Sequence, residues 1–334
     1  MPVEIEPRTF SVPALGDSHR HGQPIVIGLV NNMPDSALHS TEVQFGGLLE
    51  AAAGAQAIKL RLSSFPELPR SSEALEHIDR SYWPIDALLA GRPDALIVTG
   101  TEPRAARLTD EPYWQRSVQL LGFAQKYTVA SIWSCLAAHA AVLRLDGIER
   151  QRLAEKRSGV YEHETLARHP LLEGVHSPMR MPHSRWNELS ADALRAAGYT
   201  LLSWSAQTGA DSFLRNEGCL LLFFQGHPEY QDTTLLKEYR RDVGRYLNGQ
   251  QASYPTLPCG YFSPEATQTL TDFRETAVAH RSAELLEGFP FASVAGALTN
   301  TWRPAAVAIY RNWLAYITAT RTRLREPTTA LAGT

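Results

Sequence analysis

Short apolar runs, each stopped by glycine, proline or a polar turn, alternate along this chain with stretches of helical periodicity. Ile25-Val-Ile-Gly-Leu-Val30 has strand length and breaks at Asn31-Asn-Met-Pro-Asp35. Thr41 to Ala53 predicts a helix with Val43, Leu48 and Leu49 facing inward. Ile58 to Phe65 alternates like a half-buried strand, and residues 66–80 read as a polar loop or covering segment. Asp94-Ala-Leu-Ile-Val-Thr-Gly100 is a buried strand stopped by glycine, followed by a helix from about Glu111 to Gln125. Tyr127 to Ser134 predicts another strand, which turns at Cys135 into a helix. Pro170, Pro178 and Pro182 divide residues 150–198 into short pieces. Short strands are expected at Thr200 to Trp204 and Ser212 to Arg215, and a central one at Cys219 to Phe224. Thr233 to Tyr246 is helical, with Leu236, Tyr239, Val243 and Tyr246 on one face. Residues 249–266 read as loop, and 267–285 and 304–323 as two further helices.

Apolar strands alternating with helices predict an α/β fold: a mostly parallel sheet with helices on both faces, plus extra C-terminal helices. Residues 1–23, rich in Pro, His and Gly, read as an irregular arm. Residues 24–325 read as one domain, with a core over 24–247 and a helical addition over 248–325; 326–334 is expected to be a frayed tail. The 334 residues are 44% hydrophobic and 20% charged, which suits a globular enzyme with a large core. A formal net charge of -3 offers no footprint for nucleic acid. No apolar stretch is long enough for a membrane span. The acidic start Met1-Pro-Val-Glu-Ile-Glu-Pro7 lacks the features of a secretion signal, so a cytoplasmic location is expected. Three scattered cysteines, Cys135, Cys219 and Cys259, suit a reducing compartment and lack zinc-ligand spacing, so no metal is expected.

Two corners carry candidate chemistry. Cys135 sits where a strand turns into a helix, and there the helix dipole and free N–H groups favour a thiolate and an oxyanion. The bland alternative is a small buried core thiol, which is how Cys219, inside a strand, reads. At the second corner a strand breaks at Gly226 and presents His227 and Glu229 around Pro228. Glu229 can hold the imidazole while His227 takes the Cys135 proton, a Cys–His–Glu triad for covalent acyl chemistry; a solvated turn is the alternative. In open α/β sheets the site lies beyond the carboxyl ends of the strands, where Gly100, Cys135 and His227 all fall.

The ordered motifs resemble the homoserine O-acyltransferase family of the homoserine O-succinyltransferase type, whose fold is related to class I glutamine amidotransferases. They are Asn32-Met-Pro, Thr41-Glu-Val-Gln-Phe45, Ala95-Leu-Ile-Val-Thr-Gly100, Glu155-Lys-Arg-Ser-Gly-Val-Tyr-Glu-His163, Pro182-His-Ser-Arg185 and Gly226-His-Pro-Glu-Tyr230 with Arg241-Asp242, spanning about residues 24 to 247. A weaker echo lies at Asn300-Thr-Trp302 and Tyr310-Arg-Asn-Trp-Leu314. The resemblance implies Cys135 as acyl-thioester nucleophile, His227 as base, Glu229 as third member, and Lys156, Ser184 and Arg241 as contacts to the amino-acid acceptor. It implies succinyl-CoA or acetyl-CoA as co-substrate with no further cofactor, homoserine or a similar hydroxy amino acid as acceptor, and a role in methionine synthesis. A homodimer is compatible with it.

Two places depart from the family pattern. Arg104, in Thr101-Glu-Pro-Arg104, occupies the position that selects the acyl group, where the family carries Gly or Glu. A guanidinium there can pair with a succinyl carboxylate, fill the pocket in favour of acetyl, or bind a CoA phosphate; the first is favoured. After Cys135 the chain reads Leu136-Ala-Ala-His139 in place of an aromatic residue and Ala-x-Gln, so His139 either tunes the site or is a partly buried helix residue. Acyl transfer to serine, a glutamine amidotransferase-like amidase with the same triad, and a non-catalytic binding protein are the competing readings. The elbow Trp133-Ser-Cys-Leu-Ala137 lacks the Gly-x-Cys-x-Gly pattern of the amidotransferases.

Overall fold

A computed structural model describes residues 2–7 and 23–325. In chain order the elements are β1 (Val3–Ile5), β2 (Ile25–Val30), α1 (Leu38–Ala53), β3 (Ile58–Ser63), α2 (Ser72–Ser81), α3 (Ile85–Ala90), β4 (Ala95–Val98), α4 (Trp114–Tyr127), β5 (Ala130–Ser134) and α5 (Leu136–Asp146). There follow β6 (Gln151–Thr165), β7 (Met179–Glu188), α6 (Ala191–Ala196), β8 (Thr200–Leu201), β9 (Ser203–Ser205), β10 (Gly209–Ala210), β11 (Ser212–Glu217), β12 (Cys219–Phe224), α7 (Thr234–Leu247), α8 (Pro264–Ala279), α9 (Phe291–Ala295) and α10 (Arg303–Arg325).

Eight strands form one sheet in the order β1-β3-β2-β4-β5-β12-β11-β8. Pairing is parallel from β1 through β12 and antiparallel from β12 to β11 and β8. The fully buried runs of β4, β5 and β12 explain their central place, since both faces of a parallel sheet are covered. Leu48 and Leu49 of α1 and Tyr310, Trp313 and Ile317 of α10 cover one face. Leu120 of α4, Ala138 of α5 and Leu194 of α6 cover the other. The expected mostly parallel sheet with helices on both faces is met.

Several local expectations are corrected. Val3–Ile5 is not irregular but a parallel edge strand, with Val3 opposite Ile58; the rest of the expected arm, apart from residues 2–7 and 23, lies outside the described residues, as does 326–334. Val43 points outward, at 45% exposure, because the inward stripe of α1 runs through Leu38, Phe45, Leu48, Leu49 and Ala52. The supposed loop at 66–80 contains α2, capped by the Ser71 hydroxyl, with only Ala74 buried. Residues 150–198 are not chopped into pieces: β6 and β7 form a long antiparallel ribbon in a second sheet, ordered β10-β9-β6-β7. Within the C-terminal helical addition, α10 packs its aromatic face into the main core.

Register brings the chemistry together. Val98 pairs with Trp133, and Ser134 with Phe224, so β4, β5 and β12 end at one level. Thr99-Gly100, Cys135 and Gln225-Gly226-His227 therefore leave the sheet along the same edge. The second sheet braces that edge: His227 N–H donates to the Pro182 carbonyl at 2.8 Å, and Gly226 N–H to Asp211 Oδ1 at 3.0 Å. Gly226 is confined to glycine by this contact, since a Cβ would meet Asp211 Oδ1 at 2.5 Å and Pro182 O at 2.9 Å.

Candidate active site

Cys135 occupies the turn between β5 and α5 with φ 52°, a left-handed conformation that is costly for a residue with a Cβ. The turn is held by the Cys135 N–H, which donates to the Phe224 carbonyl at 2.7 Å. It places the half-exposed thiol at the N-terminus of α5, whose first N–H groups have no partner inside the helix. Gly100 packs directly against that terminus, where a Cβ would lie 2.9 Å from Leu136 N. The sulfur thus faces backbone donors able to hold a developing oxyanion.

His227 is buried, and its Nδ1 lies 2.8 Å from Glu229 Oε1. Its Nε2 is buried without a nitrogen or oxygen partner, and the Cys135 thiol is the group the ring meets there. Burial by itself disfavours the imidazolium, but the Glu229 carboxylate and then Cys135 outweigh it and hold the His227 pKa well above the ordinary histidine value. Tyr230 stacks on the imidazole with ring centroids 4.3 Å apart. The carbonyl of Tyr230 accepts from Trp302 Nε1 at 2.9 Å and Asn300 Nδ2 at 3.1 Å, which explains the motif echo near residue 300.

These groups open into a cavity of about 570 Å³ that is also lined by Lys156, Ser184, Glu238, Arg241, Asp242 and Arg245. The β6–β7 register slips between Arg152 and Arg157, and Lys156 lies in that irregular stretch, which re-aims its side chain into the cavity. Lys156 Nζ binds Asp242 Oδ2 at 2.7 Å and approaches Glu238 Oε2 at 3.5 Å. Arg241 Nε donates to Asp242 Oδ1 at 2.9 Å. Glu238 accepts from the Ser184 hydroxyl and, at 2.6 Å, from the Tyr230 hydroxyl. Burial would raise the Glu238 carboxyl, but Lys156 and Arg241 hold it below the ordinary value, and the same two cations do so for Asp242. Lys156, Ser184 and Arg241 therefore sit with the triad in one cavity.

Glu238 was not singled out from the sequence. Its signal was present: Glu238, Arg241, Asp242 and Arg245 recur at helical spacing on α7, a polar stripe beside the apolar one. Arg104 is placed elsewhere. Glu111 Oε1 accepts from the backbone N–H groups of Arg104 and Ala105 at 2.7 and 2.8 Å, and the Arg104 side chain is exposed and does not line the cavity. Thr101 and Glu102 of the same loop do line it. His139 is fully buried, faces Gln225 Oε1 at 3.1 Å, and burial lowers its pKa to about 3. Cys219 is core, its thiol pushed up to about 11 by burial. Cys259 is exposed and away from the triad's cavity.

Among the described residues, one group of buried ligand-type side chains, His163, His183 and Asp211, is tight enough for a cation. Its hydrogen bonds fit two neutral imidazoles. Arg185 Nε donates to His183 Nδ1 at 3.3 Å, so the His183 proton lies on Nε2, which faces His163 Nε2 at 3.2 Å. His163 Nδ1 faces the Tyr161 carbonyl at 3.2 Å. A cation would need the His183 proton on Nδ1, where the Arg185 N–H already points.

Known proteins can be set beside this geometry. A family model described as homoserine O-succinyltransferase matches residues 8–324. A homoserine O-succinyltransferase of Methylorubrum extorquens is 45% identical over 291 residues, covering 87% of this chain and 86% of that protein. One from Rhodopseudomonas palustris is 45% identical over 290 residues, covering 87% of each. One from Nitrosococcus oceani is 37% identical, covering 89% of this chain and 83% of the relative. A solved glutamine amidotransferase from Methylobacillus flagellatus overlaps with a TM-score of 0.49 at 13% identity, covering 88% of this chain and 94% of that one. With motifs in order over most of its length and relatives of matching extent, this chain belongs to the homoserine O-succinyltransferase family.

Proposed function

We propose that this protein moves a succinyl group from succinyl-CoA to the hydroxyl of homoserine through a thioester on Cys135. The observation that carries this reading is the thiol at a helix N-terminus, facing a buried histidine that is held by Glu229 at 2.8 Å. His227 Nε2 takes the Cys135 proton. The thiolate attacks the succinyl carbonyl carbon, and the oxyanion falls against the N–H groups at the start of α5. The bond to the CoA sulfur breaks, and that sulfur leaves with the proton from His227. His227 then takes the homoserine hydroxyl proton, the oxygen attacks the thioester, and Cys135 recovers its proton as the succinyl ester departs. One thioester replaces another in the first half, so no outside energy source is needed.

The acceptor end of the cavity supports an amino acid. Lys156 and Arg241 are suited to its α-carboxylate, and Glu238, the anion beside them, to its ammonium. Ser184, which binds Glu238, positions that carboxylate. The chemistry rests on side chains, with acyl-CoA as co-substrate. Free CoA release measured for succinyl-CoA and acetyl-CoA against homoserine, serine and threonine tests the reading. Greatest turnover is expected for succinyl-CoA with homoserine. Turnover with another acceptor alone, or ammonia release from glutamine, would overturn it.

A further inference from the structure

We propose that Arg245 selects the acyl donor by reading the free carboxylate of the succinyl group, with Glu102 as the internal carboxylate that it exchanges for the substrate's. This rests on the succinyl-transfer reading above and names the residue that makes the donor succinyl.

The cavity must accommodate two substrate carboxylates, one on the acceptor and one at the far end of the succinyl chain. Among the described residues, three lysine or arginine side chains line it: Lys156, Arg241 and Arg245. Lys156 is held at 2.7 Å by Asp242, and Arg241 at 2.9 Å by the same residue, at the acceptor end beside Ser184 and Glu238. Arg245, one helical turn beyond Arg241, is held more loosely. Its guanidinium lies 3.4 Å from Glu102 and 3.7 Å from Asp242, with its side chain 40% exposed and that of Glu102 63% exposed. An exposed pair of that length contributes little to stability, so an incoming carboxylate can displace Glu102 at small cost.

Position supports the same assignment. Glu102 follows Gly100, which packs on Leu136, the residue next to the nucleophile. Two residues of chain span at most about 7 Å, so the carboxylate on Arg245 belongs to a segment anchored beside Cys135. Glu102 thus marks a place, in the same cavity as Cys135, where a carboxylate meets a guanidinium. Arg104, the residue that the family position would nominate, is exposed and does not line the cavity.

The test compares Cys135 acylation by succinyl-CoA and by acetyl-CoA in single turnovers read by intact mass, in wild-type protein and in Arg245→Gln, Arg245→Lys and Glu102→Gln. Loss of one charge-assisted hydrogen bond predicts a roughly tenfold to hundredfold fall in the succinyl-to-acetyl ratio for Arg245→Gln. Arg245→Lys is expected to recover part of that ratio, and Glu102→Gln to lower the succinyl-CoA concentration needed for half-saturation. Equal losses with both donors would mean that Arg245 serves the CoA moiety or packing, and an unchanged ratio would mean that it reads nothing; either overturns the inference. Absence of an adduct on wild-type protein with either donor would instead overturn the succinyl-transfer reading beneath it.

Discussion

Replacing Glu229 by Gln removes one negative charge from beside His227 while keeping an oxygen in place to accept from Nδ1. The bond concerned is 2.8 Å long, buried, and charge-assisted. Such bonds contribute about 1.5–3 kcal/mol. Without that charge the His227 pKa should fall. The direction is fixed because burial, which disfavours the imidazolium, remains when its main counterweight is gone. Acylation of Cys135, in which His227 must carry the proton, should slow by about 10- to 150-fold. The ring can be titrated by NMR on histidine-labelled protein, and acylation followed by intact mass in single turnovers. An unchanged His227 titration, or acylation at the wild-type rate, would refute the assignment of Glu229 as the group that holds and charges the base.

Other consequences are equally accessible. Gly100→Ala puts a methyl 2.9 Å from the Leu136 backbone nitrogen, so it should cost about 1–3 kcal/mol in chemical denaturation and slow acylation; wild-type behaviour in both would refute the close packing of that loop on α5. His139, with a pKa of about 3 against 6.5 when unfolded, takes up a proton on unfolding. Its share of stability is therefore present above the unfolded value and lost as pH falls toward 3, with a slope of about 1.4 kcal/mol per pH unit. His163 and His183, also lowered, act in the same direction, whereas His227, raised, contributes below its unfolded value and loses that share at higher pH. His139→Gln should flatten the acid limb of stability by about one proton, and an unchanged slope would contradict the assignment. Trp313→Ala should cost about 3–5 kcal/mol, because that side chain is fully buried in the main core; a cost near zero would mean that α10 is dispensable.

Both candidate corners were legible because buried parallel strands announce themselves as unbroken apolar runs, and Cys135 and His227 follow two of them. The β6–β7 ribbon was not, since β6 buries only three of its fifteen residues, carries no apolar run, and pairs Val160 with Pro182, a residue that reads as a breaker. α2 escaped notice because it buries only Ala74. Position counting nominates Arg104 as the selecting residue but cannot show what lines the cavity, and there the loop contributes Thr101 and Glu102 while Glu111 holds the backbone at Arg104 and Ala105. The α7 stripe of Glu238, Arg241, Asp242 and Arg245 was readable by periodicity, yet its partners Ser184, Lys156 and Glu102 come from distant segments that only the fold assembles.

The central claim is a covalent succinyl-enzyme on Cys135. Wild-type protein mixed with succinyl-CoA in the absence of acceptor, then analysed by intact mass and peptide mapping, should gain one succinyl group on the Cys135 peptide. Cys135→Ala should gain none, and homoserine should discharge the wild-type adduct. A succinyl group mapped elsewhere, or CoA release with no adduct under single-turnover conditions, would contradict the account.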